Sequence, residues 1–384
     1  MAREFENLDT KAIHAGELEE NIEGAITLPI FQSSTFLYSG QSRYEDLKYI
    51  RLNNTPNHIV LHGKLAALEG GEAALVTASG MAAITGTLLT LLSAGDHLLA
   101  QDCLYGGTHD LLTTDFDSWG IEYDFIDSSN PSSWEEKLKP RTKVILVEGI
   151  SNPLMKIGDL LSVVEFAREH GLVSLIDNTF ATPVNFNPLK HGFDLVLHSC
   201  TKYLNGHSDI VAGAVVGTRS HIRRINRKLL HLGGSLDPHA CFLLHRGLKT
   251  LGVRVRQHNR NALAVARFLH DQPAVSVINY PGLGGLTHNA RNLELFRGFG
   301  GMLSFELAGG AEAAREFVSR LKLIQEAPSL GGVETLITRP ATTSHSGLSE
   351  EDRLELGIGD GLLRLTVGIE GVQDLIDDIS QALC

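Results

Sequence analysis

Between about residues 60 and 240, short apolar runs rich in β-formers alternate with segments of helical pattern. The runs fall at residues 73–77, 97–100, 144–148, 173–177, 195–198 and 210–216, and the helical patterns include 83–92 and 160–169. Such alternation predicts a mostly parallel sheet covered by helices on both faces. In open sheets of that kind ligands bind beyond the carboxyl ends of the strands, so the residues that close each apolar run carry the functional information. The flanks read differently. The first fifty residues are polar, with Pro29 and a Phe31–Phe36 stretch, and predict an extended arm that gains stability by lying on another surface, such as a second subunit. After a helical stretch at 242–269, the runs at 275–280, 301–307, 312–321 and 362–367, followed by a terminal helix, predict a smaller α+β domain. The expected division is an arm (1–55), a large domain (56–245) and a small domain (246–384).

Several classes of function are excluded by composition. A formal charge of −12 leaves no basic surface for a phosphate backbone, and the densest basic run is only Arg223-Arg224-Ile225-Asn226-Arg227-Lys228. Nucleic acid is therefore not an expected partner. Four scattered cysteines, Cys103, Cys200, Cys241 and Cys384, form no CxxC pair and predict neither a disulfide framework nor a zinc knuckle; a reducing cytoplasm suits them. The polar amino terminus has no apolar signal region, and the apolar segments are too short or too interrupted by glycine to span a bilayer. No HExxH or close ligand triad occurs among the histidines, so His62, His109, His231 and His245 read as surface or packing residues and no metal is expected. The glycine-rich stretch Pro281–Gly285 fits neither a dinucleotide nor a P-loop pattern and reads as a loop.

The run LVLHSCTKYLNGHSD, residues 195–209, is an apolar strand that ends abruptly in hydroxyls, a lysine and a glycine-histidine turn. A lysine amine is nucleophilic only when neutral, a state favoured by a dry pocket near other cations, and there it can capture a carbonyl group. Lys202 is the candidate. Ser199 and Thr201 alternate with Cys200, so on an extended chain their hydroxyls share one face and reach a single anionic group. Residues 173–177 likewise end in Asp177, 25 positions earlier, which leaves room for one short helix and the next strand. In the Thr77–Ala83 segment a strand gives way through Ser79 and Gly80 to helix formers; a helix N-terminus seats a phosphate, and glycine permits close approach.

These strings together resemble the Cys/Met-metabolism enzymes that use pyridoxal 5'-phosphate: cystathionine γ-synthase, γ-lyase and β-lyase, and methionine γ-lyase. The resemblance extends from about residue 25 to the carboxyl end and implies a fold-type I pyridoxal-phosphate transferase. By that resemblance Lys202 anchors the cofactor and acts as base, Asp177 pairs with the pyridine nitrogen, and Tyr105 of the Tyr105-Gly106-Gly107-Thr108 string stacks on the ring. Gly80 and Met81 of SGMAAI offer backbone N–H groups to the phosphate, with Ser199 and Thr201 assisting. Asn152 binds the ring oxygen and the substrate carboxylate, which Arg364 clamps with Ser329 beside it. Tyr49 and Arg51, in Tyr49-Ile50-Arg51, match a Y-x-R motif that crosses a dimer interface to the neighbour's phosphate, Tyr49 also counting among the catalytic residues.

The implied activity is γ-elimination or γ-replacement on cystathionine or an activated homoserine ester, by a homodimer at minimum and a homotetramer by family pattern. Cystathionine β-lyase, O-acetylhomoserine sulfhydrylase and methionine γ-lyase are the enzymatic alternatives, and a catalytically silent partner protein the non-enzymatic one. Three departures stand out. The segment Leu52–Asn57 is one residue longer than in relatives; Gly107 replaces the cysteine usual in methionine γ-lyases; and Pro328 stands where several γ-eliminating relatives carry glutamate.

Overall fold

The computed structural model describes residues 5–284, 290–343 and 349–384; Gly285, the end of the glycine-rich stretch, lies outside them. Seven strands form the larger sheet: β1 (Ala73–Thr77), β2 (His97–Gln101), β3 (Glu122–Ile126), β4 (Thr142–Glu148), β5 (Val173–Asp177), β6 (Leu195–Ser199) and β7 (Gly213–Gly217). Their spatial order is β1-β7-β6-β5-β4-β2-β3, and only β7 runs against its neighbours. The expected mostly parallel α/β sheet is present.

Alternate residues of each strand enter different cores, as a period-two chain requires when both faces are covered. Leu98 and Ala100, Val144 and Leu146, and Leu195 and Leu197 pack on one face, with Ile84 and Leu88 of the helix Gly80–Leu91. Leu99, Ile145, Val147, Ile176 and Val196 pack on the other, with Leu61 and Leu65 of the helix Pro56–Glu69. This alternation explains why the strands read as continuous apolar runs.

The second sheet has the order β10-β11-β12-β9-β8, with β8 (Val275–Asn279), β9 (Met302–Leu307), β10 (Gln325–Glu326), β11 (Leu336–Thr338) and β12 (Leu362–Thr366). Its own core includes Leu303, Phe305, Leu363, Leu365 and Ile379. The helical stretch expected at 242–269 is two helices, Pro238–Leu248 and Leu251–His270, broken at Lys249–Thr250. At the break the Gly247 carbonyl accepts from the Arg254 guanidinium at 2.7 Å. The second helix joins the two units: Leu251 and Val255 belong to the large core, and Val265 and Leu269 to the small one.

Near the amino terminus the chain is not an arm throughout. Residues Leu8–His14 form a helix docked on its own chain, where the buried Lys64 ammonium caps the carbonyls of Ala12 and Ile13, each at 3.0 Å. From about residue 18 to 49 there are only short turns, and Ile26, Leu37, Tyr38 and Tyr44 are exposed. At residues 52–57 the left-handed backbone of Asn53 (φ 57°) turns the chain into the helix beginning at Pro56. Among the described residues no helix is long and apolar enough to cross a membrane. His109 stacks on Phe125 and His245 bonds to Glu17, both in packing environments.

Candidate active site

A cavity of about 630 Å³ opens at the carboxyl ends of β4, β5 and β6. Those strands end in Glu148, Asp177 and Ser199, so the parallel register delivers three polar side chains to one rim. Lys202 lies one turn beyond β6. Its Nζ donates to Ser329 Oγ at 3.2 Å, reaching across to a loop of the small unit. Burial, and then the positive charge of Arg364, hold its pKa below the ordinary lysine range.

Asp177 is fixed by Thr179: its Oδ1 accepts from the Thr179 N–H at 2.9 Å and from the Thr179 hydroxyl at 2.5 Å. Burial raises its pKa, while these two donors and the nearby His198 favour the charged form. Behind it lies a buried network in which His198 Nε2 bonds to Glu69 at 2.6 Å and Asn178 donates to the same Glu69 oxygen at 3.0 Å. Such a network fixes the strand ends from beneath.

On the opposite side the helix Gly80–Leu91 begins at the cavity. The Ser79 hydroxyl caps the Ala82 N–H at 3.0 Å, and the N–H groups of Gly80 and Met81 have no partner within the helix. A Cβ on Gly80 would sit 2.9 Å from Ser199 Cβ, so only glycine lets the helix start approach the end of β6 this closely. Ser199 and Thr201 both line the cavity, though not by the expected alternation. The extended chain stops at Ser199, where the Lys202 N–H turns back to the Ser199 carbonyl at 3.2 Å, and the Thr201 hydroxyl is tied to Ala212.

Tyr105 reaches the same space, half-exposed, from the loop after β2. A Cβ on Gly107 would lie 2.7 Å from its ring, so the ring occupies room that a side chain at 107 would need. Arg364, on β12, is buried and donates to Asn152 Oδ1 at 3.0 Å. Burial brings its pKa down to about 10, and it remains charged. Tyr49 and Arg51, assigned to the neighbouring subunit's site, do not line the cavity of their own chain. Instead the Arg51 guanidinium donates to the Leu230 carbonyl (3.1 Å) and the Tyr44 hydroxyl (2.6 Å), and lies 5.6 Å from the centre of the Tyr49 ring. Conversely, Glu148 and Thr179 line the cavity without having been singled out in the sequence. The signal for Glu148 was the one used for Asp177, an acid closing an apolar strand.

The residues present fit pyridoxal phosphate: an amine of lowered basicity, a buried carboxyl, a glycine-lined helix start with free N–H groups, and a buried guanidinium border one cavity. Residues 9–384 match the family described as Cys/Met metabolism PLP-dependent enzyme, and the chain belongs to that family. Among its relatives, L-methionine gamma-lyase of Fusobacterium nucleatum subsp. polymorphum is 43% identical over 98% of both chains. Cystathionine beta-lyase of Lactococcus lactis subsp. cremoris (strain MG1363) is 41% identical, over 98% of this chain and 99% of that one. A solved structure of cystathionine gamma synthase from Xanthomonas oryzae pv. oryzae, in complex with aminoacrylate and cysteine, superposes with a TM-score of 0.94 at 39% identity. It covers 98% of this chain and 97% of that one. This is a fold-type I, pyridoxal-phosphate-dependent enzyme of sulfur amino acids.

Proposed function

We propose that this chain is a γ-eliminating or γ-replacing enzyme acting on cystathionine or an activated homoserine ester. Its proposed base is Lys202. The observation that carries the reading is the Lys202 amine, which lines the cavity, donates to Ser329 and lies in the positive field of Arg364. When bound, pyridoxal phosphate supplies an aldehyde that condenses with amines and a ring that absorbs the electron pair released at the substrate Cα.

The protein's own contributions follow from its groups. Arg364, with Asn152 and Ser329 beside it, holds the substrate carboxylate, a task suited to a buried guanidinium. Lys202 Nζ, its pKa lowered by burial and by Arg364, takes the Cα proton and can return one to the leaving group. Asp177, held by two bonds from Thr179, would keep a proton on the ring nitrogen. The N–H groups of Gly80 and Met81, with the hydroxyls of Ser199 and Thr201, receive the phosphate, and Tyr105 covers the ring face.

Tyr49 and Arg51 belong to this reading as contributions to the neighbouring subunit's site, which makes a homodimer the smallest active species and a homotetramer the expected one. Their absence from the lining of their own cavity and the exposed apolar residues of segment 18–49 support it. The division into arm, large domain to about 245 and small domain is retained on the strength of the two sheets, and the cytoplasm as the expected compartment.

Methionine is disfavoured as substrate because Gly107 stands where methionine γ-lyases usually carry a cysteine. The absence of a carboxylate at Pro328 keeps the β-lyase reading as the alternative, since nothing at that position attracts the distal ammonium of cystathionine. Purified protein supplied with cystathionine decides: cysteine and 2-oxobutanoate are expected, whereas predominant homocysteine and pyruvate establish β cleavage. Lys202→Ala is expected to lose the visible absorbance of the bound cofactor and at least ~10³-fold in turnover; normal turnover in that variant would overturn the whole assignment.

A further inference from the structure

We propose that Glu148 is a positioning residue that carries the Tyr105 loop from the end of β4 and sets the place of the Tyr105 ring over the cavity, beside Asp177. The inference rests on the reading of this cavity as the cofactor site. Glu148 and Asp177 are register partners on adjacent parallel strands, so both side chains emerge on the same side of the sheet and into one cavity. Glu148 Oε1 accepts the Tyr105 N–H at 2.6 Å. The same strand end is joined to the loop a second time through Gln101, whose Oε1 accepts the Glu148 N–H at 3.0 Å and whose amide donates to the Cys103 carbonyl at 3.2 Å. Cys103 Sγ in turn reaches the Asn152 carbonyl at 3.4 Å.

The start of the Tyr105 loop is tied to the sheet by the Asp102 N–H, which donates to the Ile126 carbonyl at 2.9 Å, and by Gln101 and Glu148; among the described bonds to the sheet, only that of Glu148 is made at Tyr105 itself. The Tyr105 side chain, half-exposed, has little packing of its own to fix it. Two carboxyls in one buried space also divide their roles. Thr179 donates twice to Asp177, which suits an anion, while burial and then the charge of Asp177 push Glu148 well above the ordinary carboxylate range. The contact at Tyr105 requires only an accepting oxygen, which a carboxamide also supplies, so glutamine imitates what the geometry requires of Glu148.

The test compares Glu148→Ala, Glu148→Gln and Glu148→Asp. Amide hydrogen exchange at Tyr105 is read in cofactor-free and pyridoxal-phosphate-loaded protein, together with the dissociation constant for pyridoxal phosphate and kcat/KM on cystathionine. In Glu148→Ala, exchange at Tyr105 is expected to rise, the dissociation constant to rise and kcat/KM to fall, each by about 10- to 100-fold, the scale of leaving a buried N–H unpaired. Glu148→Gln should recover most of every loss. Glu148→Asp, which keeps the acid but shortens the reach, should behave like alanine and stands in for it if the alanine variant does not fold. Native exchange in Glu148→Ala or Glu148→Asp, or a Glu148→Gln as impaired as either, would overturn the proposal. Exchange in the cofactor-free protein does not depend on the cofactor assignment, so a failure of that assignment is recognised separately, by Lys202→Ala.

Discussion

The Arg364 guanidinium and the Asn152 carboxamide, 212 positions apart, meet at 3.0 Å and close the cavity between the two sheets. Arg364 belongs to the second sheet and Asn152 follows β4 of the first, so the proposed carboxylate clamp exists only when the two units are packed together. Arg364→Ala is expected to lower kcat/KM at least ~100-fold, mostly through KM, while the visible absorbance of the bound cofactor is kept. Arg364→Lys should recover little, because an ammonium lacks the planar fork. Steady-state kinetics beside absorbance titration checks this; an unchanged KM would remove Arg364 from the substrate site.

Asp177→Asn should retain cofactor yet slow the chemistry. The amide cannot hold a charged ring nitrogen, and a loss of ~3 kcal/mol corresponds to about a hundredfold. The measurement is exchange of the substrate Cα proton with solvent. A native exchange rate would show that Asp177 does not act on the ring.

Arg51 lies outside its own cavity, tied to Leu230 and Tyr44. If it serves the neighbour, two inactive variants should complement each other. Lys202→Ala and Arg51→Ala mixed under conditions that exchange subunits are expected to regain about a quarter of native sites or fewer, a statistical share of mixed pairs. Proven exchange with no recovered activity would place Arg51 in its own subunit's site.

The docked amino-terminal helix makes acid stability testable. Burial alone would raise the pKa of Glu17, but its bond to His245 and the charges of His245, Lys64 and Lys249 hold it at about 2. A carboxylate with a depressed pKa contributes stability that is present above about 4.5, its ordinary value, and is lost as pH falls toward about 2. Glu17→Gln should therefore destabilise the protein by about 1–2 kcal/mol at pH 7, and the gap to the native protein should narrow between pH 4.5 and pH 2. Thermal unfolding across that range is the check; a gap independent of pH would exclude the charge of Glu17 as its source.

Strand ends were the most legible part of the site. Asp177, Ser199 and Lys202 stood out because an apolar run that stops in a polar or ionisable residue must place that residue at a sheet edge, whatever the packing beyond it. The large sheet was legible for the same local reason, since strands covered on both faces must be apolar throughout. β3 was not marked. Its residues Glu122–Ile126 begin exposed and alternate with polar ones at the edge of the sheet, so no continuous apolar run announces it.

By itself the sequence determined the parallel architecture, the lysine, the acid at the end of β5 and the helix start at Gly80, each through local pattern. Tertiary structure alone decided that Glu148 carries the loop of Tyr105, that Arg364 meets Asn152 across the two sheets, and that Arg51 is bonded to Leu230 rather than lining its own cavity. These relations join residues 43, 212 and 179 positions apart. Local propensity carries no information over such separations; the register of the parallel strands and the docking of the second sheet bring the groups together.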